Sequence, residues 1–433
     1  MVQLKIIRVA QEGLAGAECV VRRTGVSHSS EVEKVASDIV EDVRVRGDSA
    51  LLELGWRFDS AALSSLEVSE LDWESAVREV DSASRAAVEA AAANIAAFHE
   101  KQRRESWMDE ADGKLTGQLI RPLERVGIYV PGGTAVYPSS VLMTAIPARV
   151  AGVPELVMCT PCRKDGAVHP LVLFAARTAR VARVFKVGGA QAVAAMAFGT
   201  ESVPAVDKIV GPGNVYVNAA KKLVWGHVDV DMLAGPSEVC VLADEMANPV
   251  FIAVDMLTQA EHDVESAAFL ITPSAVLAES VAAEIERQME RLPRREILRK
   301  ALDDNSAIIV TESMDQAVEL ANLCAPEHLA LMVRNPQSML DRIKNAGAIL
   351  MGDHTPQTLG DYFAGPSHTL PTNGTARFSS PINVDTFLKK TSVISYSREA
   401  LRDSAHHLLQ FARVEGFEAH AAAVEARFAE DNE

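Results

Sequence analysis

Arg183-Val-Phe-Lys-Val-Gly188, Ala190-Gln-Ala-Val-Ala-Ala-Met-Ala-Phe-Gly199 and Asp207-Lys-Ile-Val-Gly211 follow one another near the middle of the chain. The outer two are short apolar runs with β-branched residues, each ending on glycine. The middle one is longer and alanine-rich, as a buried helix is. Strand, helix and strand at these lengths make a βαβ unit, and such a crossover pairs its two strands in parallel.

The pattern extends in both directions. Upstream lie Val126-Gly-Ile-Tyr-Val130 and Glu155-Leu-Val-Met-Cys159, with the helical segment 169–181 after them. Downstream come Glu238-Val-Cys-Val-Leu-Ala243, Phe269-Leu-Ile-Thr272, Ala307-Ile-Ile-Val310, Leu329-Ala-Leu-Met-Val333 and Ala348-Ile-Leu-Met351, separated by helices around 275–292, 314–324 and 336–346. The expected fold is α/β: two doubly wound, Rossmann-like parallel-sheet modules over 115–245 and 246–380, joined by a helix that bears Gln259 and His262. Residues 1–114 read as a helical N-terminal region for scaffold or dimer contacts. Ser30 and Glu33 there form a capping-box pattern, and Val32, Val35, Ile39 and Val43 hold one apolar stripe until Gly47 stops it. Residues 381–433 read as a tail with two helices, about 397–412 and 417–428, carrying Glu415 and His420 near their junction.

Composition narrows the partners. A length of 433 residues is too great for one ordinary core, and 48% hydrophobic residues can fill several. The net charge of -17 repels nucleic-acid backbones and anionic membrane surfaces, so neither is an expected partner. No apolar run approaches the ~20 residues of a membrane helix. The start, MVQLKIIRVAQEGLAG, lacks a continuous run of signal-peptide length, so a soluble, unexported protein is expected. Five cysteines are few and odd in number, which fits a reducing compartment, the cytoplasm. Cys159-Thr-Pro-Cys162 has no second pair to complete a zinc cage and reads as thiols at a strand end, with redox or structural zinc as the other reading.

Three glycine-rich turns follow strands: Tyr129-Val-Pro-Gly-Gly133, Val187-Gly-Gly-Ala-Gln191 and Gly211-Pro-Gly-Asn214. Each stands where a strand hands over to a helix, so backbone N–H groups and a helix N-terminus can meet a phosphate there. None is a complete G-x-G-x-x-G fingerprint. Two readings stay open, nucleotide binding and tight turns that need glycine for positive φ.

A different chemistry gathers after residue 250, where most of the eleven histidines lie. Leu257-Thr-Gln-Ala-Glu-His-Asp263 places Gln259 and His262 three apart, on one face if helical. Glu327-His328, Asp361 with His368, and Glu415 with His420 occupy similar polar islands in apolar sequence. A single histidine is more often a core or capping residue than a ligand. Clustering shifts the balance, because buried polar groups without partners are costly. An amide, a carboxylate and imidazoles suit Zn²⁺, and Glu327 beside His328 reads either as an acid/base pair or as a capped loop.

Taken together, YVPGGTAVYPSSVLMTAIPA, VGGAQAVAAMAFGT, KIVGPGNVYV, DMLAGPSE, LTQAEHD, APEHL, AGPSHTLPTNGTARFSS and EGFEAHA resemble, in order and over about 30–428, the histidinol dehydrogenase family. Ser367 departs from the asparagine that many members carry beside the histidine, a detail of the substrate pocket. The resemblance implies an NAD-dependent zinc enzyme that oxidises L-histidinol to L-histidine through L-histidinaldehyde with two NAD⁺. It implies that Gln259, His262, Asp361 and His420 hold Zn²⁺, and that Glu327 and His328 move protons. Tyr129, Gln191 and Asn214 would line the NAD site. Ser237, His368 and Glu415 would contact histidinol alongside His328 and the metal ligands. It further implies a homodimer in which the tail of one subunit, with Glu415 and His420, completes the partner's site. Three rival readings are an enzyme of this scaffold acting on another polar alcohol, a zinc hydrolase using Glu327, and a catalytically silent zinc-binding protein.

Overall fold

The computed structural model describes residues 4–22, 25, 29–132 and 135–432. Met1–Gln3 of the chain's start and Gly133 of the first glycine turn lie outside the described residues. The chain divides into two compact units, Met1–Arg103 with Leu123–Phe387, and Arg104–Pro122 with Leu388–Glu433.

In chain order the strands are β1 (Lys5–Arg8), β2 (Trp107–Ala111), β3 (Lys114–Pro122), β4 (Arg125–Tyr129), β5 (Glu155–Thr160), β6 (Arg183–Lys186) and β7 (Lys208–Val210). They continue with β8 (Asp229–Val230), β9 (Glu238–Ala243), β10 (Ala267–Thr272), β11 (Ala307–Val310), β12 (His328–Met332), β13 (Ala348–Met351) and β14 (Leu388–Tyr396).

The first unit contains two parallel sheets. One has the order β6-β5-β4-β7-β8, the other β1-β11-β10-β9-β12-β13, and every pairing in both is parallel. Counted from β4 and from β9, each reads 3-2-1-4-5, the order of a doubly wound sheet. The α/β fold of two Rossmann-like modules is therefore what the chain adopts. All residues of β9 and β10 are buried, because helices cover both faces and leave no solvent side on which alternation could show. To this the structure adds β1, which pairs with β11 at the outer edge of the second sheet.

The helical region from Ser30 to Glu100 packs against the first sheet and its helices, while Val9, Ala17 and Val21 join the core of the second. Ser29, one residue before the expected cap, accepts from the Val32 N–H at 3.3 Å and starts the helix Ser30–Arg46. Val40 and Val43 of that helix share a core cluster with Val193 of the helix Gly189–Phe198. Gly47 ends the first helix at φ +55, and Asp48 then accepts from the Thr200 hydroxyl at 2.6 Å and the Ser202 N–H at 3.3 Å. Each Val or Leu side chain sealed in such a cluster contributes roughly 1.5–3 kcal/mol.

The second unit is built on an antiparallel sheet, β14-β3-β2. Its hairpin turns through Asp112 (φ +52) and Gly113 (φ +71), and two successive positive φ values match the right-handed twist of the strands. The Ser397 N–H donates to the Gly113 carbonyl at 2.7 Å, which seats the helix Arg398–Val414 at the hairpin tip. A shorter helix, Glu418–Glu425, follows. Among the described residues no helix is long and apolar enough to cross a membrane.

Candidate active site

The polar islands of the second module meet at the amino end of its sheet. Glu327 stands one residue before β12, and His328 opens that strand. Both are buried, as is Asp361 on the short helix Gln357–Tyr362. His328 Nε2 lies 3.4 Å from Asp361 Oδ1, and its Nδ1 lies 3.7 Å from Glu327 Oε2. The Glu238 N–H, at the start of neighbouring β9, donates to Glu327 Oε2 at 2.9 Å. His368 Nδ1 meets the Asp361 carbonyl at 2.7 Å, so that nitrogen carries the proton, and Nε2 faces the Ser140 hydroxyl at 3.3 Å.

Burial and charge set the protonation of this group. Burial pushes the Glu327 carboxyl up to about 7, against the opposing pull of His328 and the Glu238 N–H. Burial alone would lower His328, but the charges of Glu327 and Asp361 and the hydrogen bond to Asp361 outweigh it and hold the imidazole above its ordinary value. Burial would also raise Asp361, yet bonding to His328 and the nearby imidazoles keep its carboxylate low and ionised. His368 is lowered by burial despite Asp361. The result is one ionised carboxylate, one carboxyl that titrates near neutrality, and a basic imidazole between them.

His262 approaches the same carboxylate from another element, and Gln259 reaches the helix that bears it through Gln357. Gln259 sits in the last turn of the helix Pro249–Ala260, and His262 lies in the turn beyond its end. His262 is reachable by solvent on one side and crowded by protein on the other; the crowding lowers its imidazole, and Asp361 opposes that shift. Gln259 is fully buried, and its Oε1 accepts from Gln357 Nε2 at 2.8 Å. Gln259 Nε2 and Gln357 Oε1 are then left without partners. Turning both amides by half a revolution keeps their mutual bond and puts a Gln259 oxygen in the orphaned position. A buried, unpartnered amide oxygen with an ionised carboxylate and neutral imidazoles is a donor set that fits a divalent cation. Among the described residues no three His, Cys, Asp or Glu side chains converge as an ion-holding group, so this fit rests on the amide together with His262 and Asp361.

The glycine turns gather at the carboxyl end of the first sheet, around Tyr129. Its buried hydroxyl accepts from the Gly189 N–H at 3.0 Å, and burial pushes the phenol up to about 12 against that bond. Gly211 adopts φ +119, and a Cβ there would stand 2.1 Å from the Tyr129 carbonyl oxygen, so this turn needs glycine for both conformation and room. Gln191 is buried in the first turn of the helix Gly189–Phe198, with its Oε1 2.8 Å from where a Gly189 Cβ would be. Asn214 caps the helix Val215–Val224, its Oδ1 accepting from the Tyr216 and Val217 N–H groups, both at 3.1 Å. Because β4 and β7 are the strands between which the order reverses, Tyr129 and Asn214 border the crevice where ligands of such sheets bind.

Glu327, His328, Asp361 and His368 thus come together by direct contacts, His262 feels the Asp361 charge, and Gln259 bonds Gln357 on the helix of Asp361. Ser237 directly precedes Glu238 and its carbonyl accepts from the Ala267 N–H at 3.1 Å. Glu415 and His420 belong to the second unit, where both are exposed, Glu415 at the end of the helix Arg398–Val414 and His420 on the next. Ser367 hydrogen-bonds the Met143 carbonyl at 3.1 Å. Sequence reasoning missed Gln357, Glu238 and Ser140. For Gln357 a signal existed: it lies four residues before Asp361, one turn away on the same helix face. For Glu238 and Ser140 none did, since their contacts join distant strands and helices.

A sequence profile described as histidinol dehydrogenase matches residues 22–428. A histidinol dehydrogenase of Heliobacterium mobile is 55% identical over 394 residues, 90% of this chain and 92% of that protein. One of Halalkalibacterium halodurans is 52% identical over 400 residues, 92% of this chain and 94% of that protein. The crystal structure of histidinol dehydrogenase from Elizabethkingia anophelis superposes with a TM-score of 0.95 at 35% identity, covering 100% of both chains. An acetylating aldehyde dehydrogenase from Geobacillus thermoglucosidasius, with a TM-score of 0.50 at 14% identity, shares the fold alone. With the profile spanning nearly the whole chain and relatives above half identity, this chain belongs to the histidinol dehydrogenase family.

Proposed function

We propose that the chain oxidises L-histidinol to L-histidine through bound L-histidinaldehyde, a four-electron conversion that uses two NAD⁺ in turn and closes histidine biosynthesis. The observation that carries this reading, beside the family, is the buried Glu327–His328–Asp361 group with its opposed protonation states. Alcohol oxidation requires a base at the hydroxyl. His328 fits that task, because Asp361 engages Nε2 and leaves Nδ1 to receive the proton. The aldehyde must then gain a water, and Glu327, titrating near neutrality, can take a proton from it. His328 takes the proton again in the second oxidation. NAD⁺, when bound, accepts the hydride in each oxidation.

Gln259, His262, Asp361 and His420 would hold Zn²⁺, which when bound supplies a template for the substrate's imidazole and amine. Ser237, His368 and Glu415 would hold the rest of histidinol, with His368 presented as a neutral imidazole. Tyr129, Gln191 and Asn214 would line the nucleotide site, making 115–245 the NAD-binding module and 246–380 the acid/base module. The tail would act on the site of a second copy in a homodimer. Exposed Ile394, Phe411, Val414 and Phe417 in the second unit support such a covered face. Free cysteines throughout agree with a cytoplasmic setting.

One assay tests the reading: the protein with zinc, NAD⁺ and histidinol, followed for NADH and histidine together. Two NADH per histidine is the expected stoichiometry. NADH from a different polar alcohol alone, or no NADH at all, would replace this function with one of its rivals.

A further inference from the structure

One polar group beneath the glycine turns has no part in the chemistry above. Lys221, on the inner face of the helix Val215–Val224, and Asp231, just beyond β8, form an ion pair of 2.7 Å with both side chains 1% exposed. Lys221 Nζ also donates to the Gly211 carbonyl at 2.5 Å, and Asp231 Oδ2 accepts from the Gly211 N–H at 2.7 Å. Both backbone polar atoms of the one residue that must stay at φ +119 are therefore held by this pair. Asn218, one turn earlier on the same helix, donates from Nδ2 to the Gly213 carbonyl at 2.8 Å and the Asn214 carbonyl at 3.1 Å. Its Oδ1 accepts from the Ala234 N–H at 3.0 Å, and the next residue, Gly235, donates to the Thr372 hydroxyl at 2.6 Å.

A sealed ion pair is a poor device for stability alone. Desolvating two charges offsets most of their attraction, and apolar side chains of equal volume often serve as well. What apolar side chains cannot do is fill a backbone N–H and a carbonyl at once and so fix the orientation of one peptide unit. We propose that Lys221 and Asp231, with Asn218, are positioning residues for the nucleotide: they set the Gly211–Asn214 turn and tie it to the segment that leads to Ser237. This rests on the reading of that turn as part of the NAD site. Because Asn218 bridges the turn to Ala234, nucleotide geometry and the substrate-side segment share one support.

The test compares full-length Lys221→Met/Asp231→Asn, Asn218→Ala and Asn214→Ala with the parent, all loaded with zinc. Removing both charges together avoids stranding either one. The double variant should raise the KM for NAD⁺ about tenfold, the factor expected for losing one charge-assisted bond. The histidinol KM and kcat should change less than about twofold, and titration calorimetry with NAD⁺ should show the same weakening. A fold brace would move all parameters together, and that outcome overturns the proposal. So does an unchanged NAD⁺ KM in the folded double variant while Asn214→Ala raises it, an outcome that leaves the nucleotide reading standing. If Asn214→Ala and the double variant both leave NAD⁺ binding unchanged, the nucleotide reading falls and the proposal with it. Should the double variant not fold, Asn218→Ala, which keeps the pair, decides: a rise in the NAD⁺ KM that exceeds any change in the histidinol KM supports the proposal, and an NAD⁺ KM that stays at the parent's value overturns it.

Discussion

The two parallel sheets of the first unit have the same strand order and offer opposite ends to their surroundings. In the first, the carboxyl ends of β4 and β7 open into glycine turns, where Tyr129 meets Gly189 and Gly211. In the second, the equivalent strands are β9 and β12, and their carboxyl ends are closed. The Asp244 N–H donates to the Met332 carbonyl at 3.3 Å, and its carboxylate accepts from the Met246 N–H at 3.0 Å and the Arg334 N–H at 2.7 Å. The polar cluster lies instead at the amino ends of the same strand pair, where the Glu238 N–H reaches Glu327 and His328 opens β12. Strand order alone therefore does not say which rim is used. Glycines at positive φ shape the turns of one rim. An aspartate ties down the turns of the other.

The strongest way to break this comparison is to remove the amino-end base. His328→Asn is expected to lower turnover roughly a thousandfold, within the range of a lost general base, while zinc content by metal analysis and NAD⁺ binding by calorimetry stay unchanged. Turnover near the parent's would remove His328 from the chemistry.

Next comes Glu327→Gln, expected to slow aldehyde oxidation about a hundredfold and alcohol oxidation less, as measured with each substrate separately. Equal losses would argue against water activation. The carboxyl must be ionised to take a proton, so the parent's aldehyde oxidation should fall as pH drops through about 7, and the variant's residual rate should keep only the part of that dependence that His328 brings. The sign for stability is the reverse. With the carboxyl raised from 4.5 to about 7, the folded state binds the extra proton between those values, so stability falls as pH rises through that window. Melting curves of the variant should be flatter there.

At the other rim Gly211→Ala adds a Cβ 2.1 Å from the Tyr129 carbonyl at a φ unsuited to side chains. The NAD⁺ KM should rise about tenfold or more as the turn shifts, with thermal stability reduced by roughly 1–3 kcal/mol. An unaffected NAD⁺ KM would mean that the first rim is not the nucleotide rim. The smallest effect sharpens the contrast from the closed end. Asp244→Ala should cost about 1 kcal/mol for its lost bonds in chemical denaturation and change kcat less than about twofold. A large loss of turnover there would place chemistry at the carboxyl rim of both sheets.

Much of the fold was legible because its signals are local. Short β-branched runs with glycine at their ends and alanine-rich stretches between them name strands and helices without help from the rest of the chain. The hairpin through Asp112 and Gly113, inside the region expected to be helical, was also legible, since a D-G pair between extended segments is a turn signal of its own. Strand β1 was not: four residues of mixed exposure carry no period, and pairing with β11 is what makes them a strand.

By itself the sequence determined the α/β architecture, the helical partners of the sheets and the list of chemically able side chains, because propensity, periodicity and residue type travel with the chain. Only the tertiary structure decided that Gln357 would bond Gln259, that the Glu238 N–H would reach Glu327, and that Lys221 and Asp231 would enclose Gly211. Those contacts join residues far apart in sequence, and burial, which exists only after folding, gives Glu327 and His328 their displaced titration and makes an unpartnered amide costly enough to mark a site.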